Sequence, residues 1–377
     1  MEIVQVVGFY PPHLGGQEAV VERLARLQAD SHRVTVYTSD VGAGPAADAA
    51  PPTRGGPIRV VRDRTWVLAR TPVVPLLPLR LLRHQPTPDL LHVHVGQALV
   101  PELVALAARL RGVPYVAHVH LVVGPSGRLG RLLLPAYQRL SLSRVLRGAA
   151  RVVCLTDAMR AEVVRTFRVP AERIAVVPNG VDAAEFPAGE PTDRAPDELL
   201  LVGRLEVQKN VRVAVEAMRL LPRDVVRRVV GDGELREELT RLAAELDLPN
   251  VRFPGRLPRE EVAAAYRRAT VVLLPSEREG LPLVLLEALS AGAPVVCSAR
   301  PELVEVGGPA VVPVDPLTAE SLAAAVRALL DDPARRAALS AAARRRAADY
   351  GWPAVAAAVD AVYAEVLAGN EPAGVAS

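Results

Sequence analysis

The octapeptide GRLEVQKN, Gly203 to Asn210, holds the single lysine of a 377-residue chain whose 45 Lys plus Arg are otherwise arginine. A composition rich in Ala, Arg, Pro and Gly reflects GC-rich coding, which drains lysine codons, so a lysine that persists is informative. The octapeptide follows the apolar run LLLVG, which places Arg204 and Lys209 in a loop beyond the carboxyl end of a strand. A planar guanidinium fork beside a compact ammonium suits a diphosphate. Two solvated surface cations would carry the same residue types.

A second stretch is PSEREGLPLVLLEALSAGAPVV. The strand-like VVLLP leads to a loop with Glu277 and Glu279. Pro282 suits the first helical position, where its missing N–H is no loss. The helix then runs to Ser290 or Ala291, and Gly292 can end it. Free N–H groups near Leu283 and Val284 would point at whatever lies over the helix start. Glu287, eight residues after Glu279, sits among Leu, Val and Ala. A buried carboxylate there needs a partner, and a hydroxyl-rich ligand would serve; on the polar face of the helix it would meet only water. Glu279 and Glu287 make a poor hydrolase pair. Such carboxyls flank a bond at ~5 Å, or roughly 6.5–9.5 Å, and one loop with its helix does not readily hold both sides of a substrate.

Weaker signals lie elsewhere. In YPPHLGGQEAVVERL, Gly15 and Gly16 precede a helix expected from about Gln17. Glycines there let backbone N–H groups approach a phosphate, with the helix dipole in support, although the spacing is not the dinucleotide fingerprint G-x-G-x-x-G. Four of the seven histidines form the pairs His92-Val-His94 and His118-Val-His120, each on one face of a strand. With no Cys or carboxylate close by except Asp89, ordinary hydrogen-bonded histidines are expected rather than a metal site, one of them lining a cleft. VPNGVD (Pro178 to Asp182) reads as a turn, and the glycines of GDGEL (Gly231 to Leu235) suit close backbone approach to a ligand.

The elements that must position these residues alternate. EIVQVVGF, RVTVYTS, DLLHVHV, PYVAHVH, RVVCLT and IAVVP read as buried parallel strands. Helical patterns include one through Val20, Val21, Leu24 and Leu27, and one from about Gln97 to Arg111. A polar stretch, Gly189 to Asp197, reads as a linker. The alternation then restarts with ELLLVGR, VVRRVVGDG, NVRFPG, TVVLLPS, PVVCS and AVVPV. Two doubly wound α/β domains are implied, residues 1–190 and 191–352, with ligand bound in a cleft between them. Residues 353–377 are a terminal helix, expected to pack back on the first domain, and a tail. Residues 41–57 read as a flexible loop.

Charge divides with the domains. Residues 1–190 hold 22 Arg against 15 Asp plus Glu, or +7; residues 191–377 hold 23 Lys plus Arg against 27, or −4. A basic first half fits an anionic partner or a membrane surface, and solvated arginines fit it equally. Gly127 to Arg147 has arginines among leucines but no clean amphipathic face. Cys154 and Cys297 lie in apolar runs and read as buried thiols, in keeping with a cytoplasmic protein. Neither a leader peptide nor an uncharged run of membrane-spanning length is apparent. Aromatics are 3% of the chain, which disfavours nucleic-acid stacking.

Taken together the motifs resemble the retaining nucleotide-sugar glycosyltransferases of family 4, with the GT-B fold. The Gly-Gly loop, His120, PNGVD, VGRL with its downstream Lys, GDG and the E-x7-E of EGLPLVLLEALSAGAPVV occur in that family's order. The resemblance implies that Arg204 and Lys209, following Gly203, bind the donor diphosphate, and that Glu287 holds the ribose hydroxyls. It implies that Glu279 lies beside the donor sugar, that Gly280, Leu281, Leu283 and Val284 offer backbone groups, and that Gly15 and Gly16 approach the phosphate from the other domain. His120 would line the sugar pocket, and Gly255 and Arg256 would meet the base. Catalysis would rest on Arg204, Lys209, Glu279 and His120, with no metal and no other cofactor. The donor would be a nucleoside-diphosphate sugar, most simply UDP-linked, giving hexosyl or N-acetylhexosaminyl transfer to an anionic or hydroxylated acceptor. Asn210 stands where the family often has Gly, SARPELVE lacks glycines common before its Pro-Glu pair, and Leu281-Pro282 replaces Phe-Gly. Two other readings share the architecture: a sugar-nucleotide epimerase and a non-catalytic sugar-nucleotide binder.

Overall fold

Among the described residues, nine strands belong to the first part of the chain: β1 (Glu2–Val6), β2 (Arg33–Ser39), β3 (Arg59–Asp63), β4 (Trp66–Leu68), β5 (Thr71–Val73), β6 (Leu90–Val95), β7 (Tyr115–Val119), β8 (Arg151–Cys154) and β9 (Ile174–Val176). Six follow: β10 (Glu198–Val202), β11 (Val226–Val230), β12 (Val251–Gly255), β13 (Val271–Leu274), β14 (Val295–Ser298) and β15 (Val311–Val314). This computed structural model describes residues 1–43, 58–68, 71–96, 98–122, 134–189 and 197–369. Most of the 41–57 loop, Gln97, the interior of the 189–197 linker, residues 127–133 of the basic run and the tail from 370 lie outside them.

The first sheet has the order β3-β2-β1-β6-β7-β8-β9 and the second β12-β11-β10-β13-β14-β15; both are parallel throughout. Each is doubly wound and Rossmann-like, as expected for both halves of the chain. Strand order reverses beside β1 in one sheet and beside β10 in the other, and ligands of such sheets bind at the carboxyl edge of that reversal. Strand β3 and the hairpin β4–β5 were not expected. Val60 and Val61 are only half-buried and lie between Arg59 and Arg62, a weaker signal than the all-apolar inner strands.

The chain divides into Met1–Asn179 with Trp352–Ser377, and Gly180–Gly351. The break therefore falls about ten residues ahead of the polar linker. The helix Trp352–Ala368 packs against the helix Gly16–Gln28 and buries Val355, Val359, Tyr363 and Val366. In the second unit Leu199, Leu201, Val229, Val271 and Leu273 point from the sheet into a core closed by Val211, Val215, Leu239 and Val326. Each such side chain contributes about 1.5–3 kcal/mol by leaving water. Arg227 is fully buried there because its guanidinium donates to the carbonyls of Leu221, Pro222 and Val225 at 3.2, 2.7 and 3.0 Å.

Cys154 and Cys297 are free and buried, and burial pushes both thiols up to about 12, so neither is a nucleophile. Among the described residues no helix is long and apolar enough to cross a membrane.

Candidate functional site

In the second unit, the loops after β10 and β13 flank the strand-order reversal. Val207–Lys209 forms a 3-10 turn that ends at Asn210, whose φ of 49° is left-handed. Asn is among the few non-glycine residues that accept this region, so the departure from Gly preserves the turn. The Glu277 N–H donates to the Gln208 carbonyl at 2.9 Å and joins the two loops. Lys209 Nζ donates to Glu279 Oε1 at 2.6 Å, with the two side chains 16% and 7% exposed. Removing either partner of so enclosed a pair costs about 3–5 kcal/mol, because the other charge is left alone. Arg204 is more exposed, and donates to Glu206 Oε1 at 3.1 Å. Both cations thus arrive with a carboxylate. Lys209 keeps two further N–H donors, and an exposed pair such as Arg204–Glu206 costs only about 0–1 kcal/mol to redirect.

The helix after β13 is Leu283–Ser290. Pro282 is its N-cap and not its first residue, a one-position shift that leaves the amides of Leu283 and Val284 in the first turn, with Gly280 and Leu281 buried just ahead. Gly292, at φ 70°, closes the far end as anticipated: its N–H donates to Leu289 and the Ala293 N–H to Ala288. Glu287 is half-buried, and Tyr266 donates its hydroxyl to Glu287 Oε2 at 3.0 Å. Burial raises the Glu287 carboxyl above its usual range, Glu185 adds to the rise, and Arg259 and Tyr266 oppose it. The Glu is therefore neither an unpartnered charge nor a plain surface residue.

The GDG glycines are needed for close packing of backbone on backbone. A Cβ on Gly231 would lie 1.9 Å from the Gly203 carbonyl oxygen, and one on Gly233 2.5 Å from that of Leu205. Leu205 exchanges backbone bonds with Asp232 and Leu235 at 3.0 Å. These glycines admit the backbone of the neighbouring loop and so hold Gly203 to Leu205 in place. Gly255, at φ 82°, ends β12 with its carbonyl accepting from the Gly231 N–H at 2.8 Å, and Arg256 beyond it is exposed.

In the first unit the helix Gly16–Gln28 begins one residue earlier than expected, with Gly15 as N-cap. The Glu18 carboxylate folds back over this end: a Cβ on Gly15 would lie 2.2 Å from Glu18 Oε2, while Glu18 Oε1 is 2.8 Å from His13 Nδ1. A first-turn acid complements the helix dipole, so the N-terminus carries an anion of its own. Where a Cβ on Gly16 would sit, nothing lies within 4 Å.

His120 follows β7, and its backbone N–H donates to Val95. Parallel register sets His94 opposite His118, so all four paired histidines share one buried patch. Neighbouring rings stack, His92 on His94 at 4.2 Å and His118 on His120 at 4.4 Å. Desolvation holds every ring neutral: His92 and His120 are lowered to about 3, and His94 and His118 well below their ordinary value. One nitrogen each from His92, His94 and His118 lies within 4.8 Å of the others, enough to ask whether a metal is held. The fit is poor. Both His94 nitrogens are engaged, by His120 Nε2 at 2.9 Å and Gln5 Oε1 at 3.2 Å, and the rings of His92 and His118 lie 5° from parallel, so their lone pairs do not converge.

The functional partners that sequence reading missed are Glu206, Tyr266, Glu18 and the polar side chains behind the histidines. Only the buried polar residues of β1 and its helix, Gln5 and Gln28, carried a signal, as glutamines inside apolar runs.

Two family models cover the chain: Glycosyltransferase Family 4 over residues 14–185 and Glycosyl transferases group 1 over residues 182–346. A glycogen synthase of Mycobacterium tuberculosis is 32% identical over 398 residues, spanning 96% of this chain and 94% of that protein. A D-inositol 3-phosphate glycosyltransferase of Kineococcus radiotolerans is 36% identical over 314 residues, 73% and 71% of the two chains. Among solved structures, sucrose-phosphate synthase from Thermosynechococcus elongatus superposes with a TM-score of 0.77 at 22% identity, covering 97% of this chain and 99% of that one. Anabaena HepE in complex with UDP and glucose gives 0.77 at 18% identity, covering 97% and 100%. At these identities the structures speak for the fold.

Proposed function

This chain belongs to the group 1, family 4 glycosyltransferases, and on that premise we propose that it moves a hexosyl or N-acetylhexosaminyl unit from a UDP-sugar to a hydroxyl of a sugar, lipid-linked or small-molecule acceptor, with retention at the anomeric carbon. The observation that carries this reading is the enclosed Lys209–Glu279 pair across the strand-order reversal, at 2.6 Å. Glu279 aims the ammonium, and two of its N–H groups are left for the donor's diphosphate. Arg204 turns from Glu206 to the same phosphates. As the sugar–phosphate bond breaks, charge grows on the β-phosphate. Cations and the amides of Leu283 and Val284, already in position, stabilise that state more than the ground state.

Glu287 accepts from the ribose hydroxyls while Tyr266 occupies its second oxygen. The acceptor attacks from the face the diphosphate leaves, and a phosphate oxygen takes its proton. The charge comes from Arg204 and Lys209, so turnover persists in a chelator. The UDP bound to the structurally similar HepE supports the choice of base, and the names of the sequence relatives support a hydroxylated or phosphorylated acceptor.

A panel of nucleotide sugars, scored by donor hydrolysis and then by acceptor trials, tests the proposal. Lys209→Ala is expected to lower turnover at least tenfold, a loss of ~1.4 kcal/mol of transition-state stabilisation. Turnover close to wild type in that variant, or no nucleotide sugar bound at all, would refute it.

A further inference from the structure

Behind the histidine patch runs a chain of side-chain hydrogen bonds with one end on the helix Trp352–Ala368 and the other at His120. Gln28 Nε2 lies 2.7 Å from Asp360 Oδ1, Gln5 Nε2 lies 2.7 Å from Gln28 Oε1, His94 Nε2 lies 3.2 Å from Gln5 Oε1, and His120 Nε2 lies 2.9 Å from His94 Nδ1. Gln5, Gln28 and His94 are at most 1% exposed, so no water supplies an alternative partner to their inward faces.

The direction of every bond in this chain follows from its carboxylate end. A carboxylate only accepts, so Gln28 must turn its NH2 to Asp360 and its carbonyl to Gln5. Gln5 must then donate to Gln28 and present its carbonyl to His94. His94 must carry its proton on Nε2, where Gln5 accepts it. A neutral ring with a proton on Nε2 has a bare Nδ1. His120, facing that bare nitrogen, must donate from its own Nε2, which leaves the His120 Nδ1 with a lone pair and no proton. No step depends on which atom of an amide was named oxygen, because each is dictated by the one before.

We infer that Asp360, Gln28, Gln5 and His94 are positioning residues that lock His120 as the Nε2–H tautomer, so that it meets a substrate hydroxyl as a hydrogen-bond acceptor through Nδ1 and not as a proton donor. His120 is the most exposed of the four rings, at 9%, and stands at the carboxyl end of the sheet where a substrate arrives. The chain therefore selects a ligand that offers an O–H to this ring and disfavours one that presents only an acceptor, such as an ether or carbonyl oxygen. The substrate half of this inference rests on the proposed transfer reaction; the tautomer half does not.

Two-bond 15N–1H correlation spectra of the whole chain, labelled at histidine, read the tautomer directly, with His120 assigned by its loss in His120→Asn. Wild type is expected to show a protonated Nε2 and a bare Nδ1 on both His94 and His120. Cutting the chain at its core with Gln5→Leu, or at its half-exposed end with Asp360→Leu, is expected to give His120 as a mixture, and Asp360→Glu, which restores an acceptor, a single form again. In the transfer assay both cut variants should lower kcat by about tenfold while donor KM moves less than about threefold. A proton on Nδ1 of either ring in the wild type, or an unchanged His120 tautomer in both cut variants, would overturn the inference. If the spectra behave as expected and no sugar is transferred by wild type, the function falls and the tautomer lock stands.

Discussion

Acid should unfold the two halves of this chain in a set order. All seven histidines lie within residues 1–179, none within 180–351. Burial lowers His92 and His120 to about 3 and holds His94 and His118 well below their ordinary value. A histidine depressed in the fold stays neutral while its unfolded counterpart takes a proton. Its stability is present above the unfolded value near 6.5 and is lost as pH falls from there towards 3. At pH 5 His92 and His120 each cost about 2 kcal/mol, from ~1.5 pH units at 1.36 kcal/mol each. His92 and His120 alone then remove roughly 4 kcal/mol from a unit whose total is of order 5–15. Asp63, raised by burial, opposes this by one group only. In the second unit Glu287, also raised, gains on acidification.

The assay is built into the sequence. Both tryptophans belong to the first unit, and Trp352 is buried at 7% exposure while Trp66 is 69% exposed, so a fluorescence change on unfolding reports that unit. Urea titrations at pH 7.5 and 5 should show the fluorescence midpoint falling by about 2 M, for an m of ~2 kcal/mol/M, with circular dichroism splitting into two transitions. In His118→Leu, whose ring nitrogens have no hydrogen-bond partner among the described residues, one depressed ring is gone and the fall should be smaller than in wild type. A fluorescence midpoint that does not move between the two pH values, or one that moves in step with the whole dichroism signal, would refute the argument.

Other outcomes follow from single positions. Glu287→Gln removes a half-buried carboxylate that burial raises, so the variant should be more stable than wild type only above the ordinary carboxylate pKa, by thermal melts across pH, and should bind UDP about tenfold less tightly by calorimetry. Gly231→Ala forces a Cβ against the Gly203 carbonyl at φ 130°, and should cost more than about 3 kcal/mol in urea melts or yield insoluble protein. Gly16→Ala meets open space, so its melting should match wild type while donor KM rises if a phosphate passes there.

Much of the frame was legible from residue order alone. Runs such as ELLLV and RVVC are apolar because both faces of an inner parallel strand are covered, and that local pattern was enough to name the inner strands, the doubly wound class and the loops carrying Arg204, Lys209, Glu279 and Glu287. The outer strand β3 and the hairpin were missed because an edge needs only half of that pattern. What folding alone decided is which charges meet. Lys209 and Glu279 are 70 residues apart, His94 and Gln5 89, and Gln28 and Asp360 332. Residue type states what a side chain can donate or accept, but pairing depends on burial and on distances of a few ångströms, which parallel register and helix packing set at long range. So the order of residues determined the scaffold and its chemically able groups, and tertiary structure determined that Lys209 arrives already paired, that the GDG glycines seat the backbone of Gly203 to Leu205, and which nitrogen of His120 bears the proton.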